Sequence, residues 1–308
     1  MRRERLQGVF TALVTPFDEA GGLDEPALRA LVRAQIAGGV AGLVPAGTTG
    51  EGATLAPDEH RRLVEIVVEE ARRAPRRVRV FAGAGSNDTR HACALAVSAR
   101  AAGADGLLVV TPYYNKPTQS GMRAHFTAVA EAGGLPVLLY NVPGRTGVNL
   151  LPETVLALAE HEIFWGVKEA SGQLEQASQI LAARPASFAV LSGDDGLTLP
   201  MIALGADGVV SVASNAAPAE MTELVEAALA GERERAVRVH RRLTPLFRAC
   251  FVESNPIPVK WAVWRLGLVD DRLRLPLEPA SPATRRTMAA ALAVGGLLPR
   301  SEAAESAA

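Results

Sequence analysis

Eight short apolar runs, each followed by an amphipathic stretch, constrain this chain more than any other feature of it. The runs cover residues 9–14, 40–45, 78–82, 106–110, 136–140, 163–167, 188–191 and 208–212, and each is nearly continuous in apolar character. A strand covered on both faces reads this way, because its side chains meet apolar packing whichever way they point. Between the runs, stretches such as 28–37, 58–73, 90–102 and 152–160 carry apolar residues at helical spacing. Eight strand-then-helix units predict a closed parallel sheet ringed by helices, the (β/α)8 or TIM barrel of the α/β class. An internal echo agrees with the count: Gly103-Ala104-Asp105-Gly106 and Gly205-Ala206-Asp207-Gly208 lead into the fourth and eighth runs, half a barrel apart. After the eighth unit, residues 231–298 read as three more helices, interrupted at Asn255-Pro256-Ile257-Pro258 and again over 276–282. The expected division is a catalytic barrel over 1–230 and a C-terminal helical extension over 231–308, with 301–308 fraying.

Charge and cysteine content narrow the function classes. The 32 Lys and Arg against 33 Asp and Glu leave no basic surplus to neutralise phosphates, so nucleic acid is not an expected partner. Cys93 and Cys250 both fall in helical patterns, which argues against a disulfide framework and for a reducing, cytoplasmic setting. The basic start runs straight into the first strand with no apolar segment before it, and no run is long enough to span a membrane. The five histidines show no metal-ligand spacing, so no metal is expected.

In such a barrel the carboxyl ends of the strands converge on one face, and that is where chemistry is expected. The sixth run ends in Gly166-Val167-Lys168-Glu169-Ala170-Ser171-Gly172. A lysine at the edge of an apolar interior has its ammonium penalised, and the neutral amine is a nucleophile toward a carbonyl. A lysine that snorkels to solvent, or that pairs with Glu169, is the competing reading of the same residues. The second run delivers Gly47-Thr48-Thr49-Gly50-Glu51-Gly52, small residues whose free N–H groups and two hydroxyls suit a carboxylate, or else simply form a capped glycine turn. All three tyrosines of the chain, Tyr113, Tyr114 and Tyr140, lie just past strands and can serve as a proton relay or as rim residues. Arg145, on the Pro143-Gly144 loop, can take a second carboxylate in two hydrogen bonds. The pair Asp194-Asp195 is read as capping the helix that follows. Ala82-Gly83-Ala84-Gly85-Ser86-Asn87 lacks the full glycine fingerprint of a dinucleotide loop.

Five of these motifs, taken in order, resemble the dihydrodipicolinate synthase / N-acetylneuraminate lyase family: Gly47 to Glu51, Tyr113-Tyr114-Asn115-Lys116-Pro117, Tyr140 through Gly147, Gly166 through Gly172, and Leu191-Ser192-Gly193-Asp194-Asp195. The resemblance covers residues 9–298 and implies class I, imine-forming chemistry. Lys168 would attack the keto carbon of pyruvate, with Thr48 and Thr49 on its carboxylate. Tyr140 would carry the proton, linked through Thr48 to Tyr114, which in the family enters from a neighbouring subunit. The Val210 carbonyl and Gly193 would line the pocket behind the lysine. No metal or organic cofactor is implied, because the protonated imine is its own electron sink.

Substrate choice in the family turns on the loop after Tyr140. Arg145 there, together with Asn255-Pro256-Ile257-Pro258-Val259-Lys260, resembles the synthase branch, which uses aspartate semialdehyde as second substrate on the route to diaminopimelate and lysine. N-acetylneuraminate lyases and keto-sugar or hydroxy-oxoglutarate aldolases form the alternative. A homo-oligomer is implied, a dimer completing two sites and commonly a tetramer. Where lysine-inhibited members carry Ser, His and Glu, this chain has Gly52, Pro57 and His91, beside matching His60, Asn87 and Tyr113; the resemblance therefore implies weak lysine inhibition.

Overall fold

The computed structural model describes residues 3–298, so the tail 301–308 expected to fray lies outside the described residues. Eight parallel strands close in sequence order: β1 Gly8–Ala12, β2 Gly42–Val44, β3 Arg79–Gly83, β4 Gly106–Val110, β5 Val137–Asn141, β6 Phe164–Glu169, β7 Ala189–Ser192 and β8 Gly208–Ser211, with β1 hydrogen-bonded to both β2 and β8. All eight apolar runs are strands. Their edges differ from the apolar limits at the carboxyl side, where β3, β5, β6 and β7 run one or two residues further, into Gly83, Asn141, Glu169 and Ser192. Backbone pairing continues there because the ladder satisfies N–H and C=O groups whatever the side chain. β2 is shorter than its run, since Ala46 already adopts a left-handed backbone at φ 55°.

The barrel interior is plugged by aromatic side chains. Phe10 and Phe81 meet edge to face at 6.0 Å, and Trp165 joins the same inner cluster. Gly42 and Gly106 make room for them: a Cβ on either would sit 2.4 Å from the ring of Phe10 or Phe81. With its interior filled by these rings, the barrel opens a cavity at the carboxyl ends of its strands.

The internal echo has a shared job. Asp105 Oδ2 accepts from Val80 N of β3 and Asp207 Oδ2 accepts from Val190 N of β7, each at 2.8 Å, while each aspartate's own N–H donates back to the same residue's carbonyl. Each thus stitches the incoming strand to its predecessor at the last strand of a half-barrel.

Beyond β8 come the three expected helices, Arg233–Ala249, Ile257–Arg265 and Pro282–Gly295. The first packs on Pro218–Leu229 of the helical ring and on Pro282–Gly295. Buried residues of the extension, among them Leu243, Leu246, Val259 and Leu292, belong to the same apolar cluster as the barrel's outer layer. Cys93 and Cys250 are both free thiols. No helix among the described residues is long and apolar enough to cross a membrane.

On the outer ring, Glu70 accepts hydrogen bonds from Arg33, Arg29 and Arg73. Chiefly through Arg33, these hold its carboxyl down at about 2, against an ordinary 4.5. A depressed carboxyl contributes stability that is present above the ordinary value and lost as pH falls through the native one. The melting temperature of Glu70→Gln should therefore lie below that of the parent at pH 6, and the gap should close between about pH 4.5 and pH 2.

Candidate active site

Tyr140 of β5 and Lys168 of β6 are partners in register on adjacent strands. Parallel register turns both side chains into the barrel, and the Lys168 Nζ lies 4.1 Å from the centre of the Tyr140 ring. Lys168 is 4% exposed, so it does not snorkel. Nor does it pair with Glu169. That carboxylate faces the other side of β6, where Asn141 Nδ2, Gln176 Nε2 and the Ser171 N–H donate to it at 3.1, 3.1 and 2.7 Å. Lys168 makes no ion pair and no hydrogen bond among the described residues. Gly193, just past β7, is what gives its stem room: a Cβ there would lie 3.1 Å from Lys168 Cγ and Cε and 2.6 Å from Ala170 Cβ. Val210 of β8 is fully buried in the inner cluster with Tyr140 and Leu191, the latter being the β7 partner of Lys168.

The Gly47 to Gly52 segment is bent into a tight cradle after β2. Ala46 and Glu51 both adopt left-handed backbones, at φ 55° and 53°, and Glu51 N donates to Thr48 O. Gly83 of β3 lets the bend come this close, since a Cβ there would be 2.2 Å from Ala46 O. Thr48 is exposed at the cradle's rim. Thr49 is buried, and its hydroxyl accepts from Asn255 Nδ2 at 2.9 Å. Glu51 turns inward: Lys260 Nζ donates to it at 2.6 Å and the Arg274 N–H at 3.0 Å, with both charged side chains sealed from solvent. Lys260 Nζ also lies 4.3 Å from the centre of the Phe17 ring, and the Arg274 guanidinium 4.2 Å from it. Burial pushes the Lys260 amine down, and Glu51 pulls it back up.

Arg145 sits on a one-turn helix, Pro143–Thr146, and its Nη2 reaches Asn255 O at 3.4 Å. A cavity of about 470 Å³ opens at this mouth, and Thr48, Tyr113, Tyr140, Arg145 and Asn255 all line it. Its far side carries Gly52, Pro57, His60 and His91. His60 bonds Gly83 O at 2.7 Å, and burial, with His91 adding to it, pushes its imidazole down. Thr49, Lys168, Gly193 and Val210 are not on the cavity wall; all but Gly193 are buried residues just behind it. Tyr114 is not brought in at all. It stands 88% exposed, at a left-handed φ of 72° that is unfavourable for a non-glycine residue.

The aspartate pair divides its work. Asp194 accepts from Gly196 N as a cap, whereas buried Asp195 accepts from Ser211 Oγ and from the Val212 and Ala213 N–H groups, bracing the turn after β8. No group of three or more His, Cys, Asp or Glu converges on one point among the described residues. Asn255 and Lys260 have roles that sequence reading passed over. A charged residue inside the apolar run Ile257-Pro258-Val259-Lys260-Trp261 was the available signal, because a lysine there needs a buried partner.

Fold and mouth together define a (β/α)8-barrel enzyme with a buried lysine, a glycine-and-threonine cradle and an arginine at one mouth. Residues 5–294 match the model of the dihydrodipicolinate synthetase family. A 4-hydroxy-tetrahydrodipicolinate synthase of Geotalea daltonii is 52% identical over 282 residues, 92% of this chain and 96% of its own length. Among solved structures, a dihydrodipicolinate synthase of Acinetobacter baumannii complexed with pyruvate superposes with TM-score 0.91 at 42% identity, over 95% of this chain and 99% of that one. One from Cyanidioschyzon merolae with lysine bound gives 0.92 at 43%, over 96% and 100%. The chain belongs to the dihydrodipicolinate synthetase family, and the barrel is that of a lyase.

The buried Lys260–Glu51 pair also yields a test of how the cradle is held. Removing one partner of a buried pair strands the other charge, so Lys260→Met should cost roughly 3–5 kcal/mol in denaturant unfolding, and adding Glu51→Gln should recover part of it.

Proposed function

We infer that the chain condenses pyruvate with L-aspartate 4-semialdehyde to 4-hydroxy-tetrahydrodipicolinate, the opening step of the diaminopimelate and lysine branch. The observation that carries this reading is Lys168: a buried amine with no ion pair or hydrogen bond among the described residues, 4.1 Å from the Tyr140 ring, behind a cavity that has a threonine cradle at one side and Arg145 at another.

In this reading Lys168 attacks the pyruvate keto carbon, forming a carbinolamine that loses water to give the imine. Thr48 and Thr49 donate to the pyruvate carboxylate. Tyr140 gives and takes the proton during addition and dehydration, and it lines the cavity that the substrate enters. Loss of a methyl proton converts the imine to an enamine, whose carbon adds to the semialdehyde carbonyl while Arg145 holds the second carboxylate. The amino group of the semialdehyde then attacks the imine carbon, closing the ring and releasing Lys168. The net change joins the two substrates with loss of one water. The protonated imine formed on Lys168 is itself the electron sink for the enamine, so the proposal includes no organic cofactor and no metal.

Gly193 and Val210 complete the space around Lys168, the first by lacking a Cβ and the second by its backbone carbonyl. Tyr114 is read as a residue given to a second copy of the chain: its side chain is exposed, and its backbone is held at an unfavourable left-handed angle. A homodimer that exchanges this tyrosine, and a tetramer built from it, follow from the reading. Two free cysteines and small-metabolite substrates fit a cytoplasmic enzyme. With Gly52, Pro57 and His91 on the cavity wall, lysine feedback is read as weak.

A coupled reductase assay tests the substrate assignment. Pyruvate with aspartate semialdehyde should turn over, and Arg145→Ala should raise KM for the semialdehyde by about 10- to 100-fold, the loss expected for a charged hydrogen-bonded contact, with little change for pyruvate. Turnover of a keto-sugar acid alone would contradict it.

A further inference from the structure

Asn255 belongs to the C-terminal extension, yet its side chain makes a single hydrogen bond among the described residues, and that bond goes to the cradle: Nδ2 donates to Thr49 Oγ1 at 2.9 Å. Its Oδ1 is buried and has no hydrogen-bond partner among the described residues. An unpaired buried carbonyl oxygen is unfavourable, so packing or stability does not explain an amide at this position. The residue is 6% exposed and its backbone oxygen receives Arg145, so it stands between the two groups that take the two substrate carboxylates.

The chemistry of a hydroxyl gives that one bond a consequence. A threonine hydroxyl has one proton to donate and lone pairs with which to accept. Once Thr49 Oγ1 accepts from Asn255, that lone pair is taken and the proton must be directed elsewhere. Thr49 Oγ1 makes no other hydrogen bond among the described residues, so its proton is free for a ligand. We propose that Asn255 is a positioning residue for the pyruvate carboxylate: by donating to Thr49, it commits the Thr49 proton to the substrate.

This inference rests on the pyruvate reading and adds to it a residue that acts only through Thr49. It separates polarity from shape. Asn255→Asp preserves shape but replaces the donor with an acceptor, which captures the Thr49 proton and sets a negative charge beside the cradle. Asn255→Ala removes the bond and leaves the hydroxyl free. A structural role predicts that the isosteric aspartate is the milder change; a positioning role predicts the reverse.

The measurement is the pyruvate concentration that half-saturates borohydride trapping of the full-length protein. Leaving the Thr49 hydroxyl free to turn away predicts a rise of about 10-fold in Asn255→Ala, and losing its charge-assisted bond outright predicts about 100-fold or more in Asn255→Asp, with the trapped fraction at saturating pyruvate retained. Equal shifts, or a smaller shift for aspartate, would overturn the inference. Should Asn255→Asp fail to fold, a double-mutant cycle decides the matter with neutral residues. In a Thr49→Val background, Asn255→Ala should add nothing to the half-saturating concentration, and additive shifts would overturn the inference. If the parent protein forms no adduct, the pyruvate reading fails and this inference falls with it. If the parent is trapped and the variants shift as described for a structural role, only this inference falls.

Discussion

The site depends on one ion pair that never meets solvent. Glu51 leaves the cradle at a left-handed backbone angle and reaches Lys260 on the first turn of the helix Ile257–Arg265, 209 residues later in the chain. Two charges in that setting are tolerable only together, because either alone would keep its full desolvation penalty. The pair therefore ties the two segments together, since removing either member strands the other. Phe17 underlies it, with the Lys260 ammonium and the Arg274 guanidinium both close to its ring, and Arg274 continues the clamp to Glu59 and the Gly21 and Thr54 carbonyls. The helical extension is in this way part of the cradle's construction. Asn255, five residues before Lys260, is delivered to Thr49 by the same docking.

Against that braced wall, the barrel supplies the opposite property: a buried amine with no ion pair and no hydrogen bond among the described residues. Parallel register sets Tyr140 beside Lys168, while Glu169, the nearest carboxylate in sequence, is drawn outward to Asn141, Gln176 and the Ser171 N–H. The pleat of β6 produces this separation, since successive side chains face opposite sides of a strand. Lys168 keeps an aromatic face for a neighbour and lies against the glycine at 193. An amine so placed has its best partner in an incoming carbonyl, whose carboxylate the cradle would hold.

Much of this was legible in the sequence, for identifiable reasons. Strand count and order followed from apolar runs that tertiary burial enforces, and the lysine, threonines, tyrosines and arginine stood out because they sit where those runs end. The direction of Glu169 was not legible. It depends on the partners Asn141 and Gln176, which folding brings to the other face of β6 from β5 and from the helix after it. Nor was the docking of Asn255 and Lys260, since a contact spanning more than 200 residues leaves only a local trace, here a lysine embedded in an apolar helix. Tyr114 illustrates a third case: its prominence in the sequence is clear, whereas a single chain holds it away from the cavity.

The central claim, that Lys168 is the nucleophile, is tested most directly by reducing the protein with borohydride in the presence of pyruvate and mapping the adduct by peptide mass spectrometry. The account predicts one modified residue, Lys168, and no modification when pyruvate is left out. An adduct on any other lysine, or none under saturating pyruvate, would contradict it.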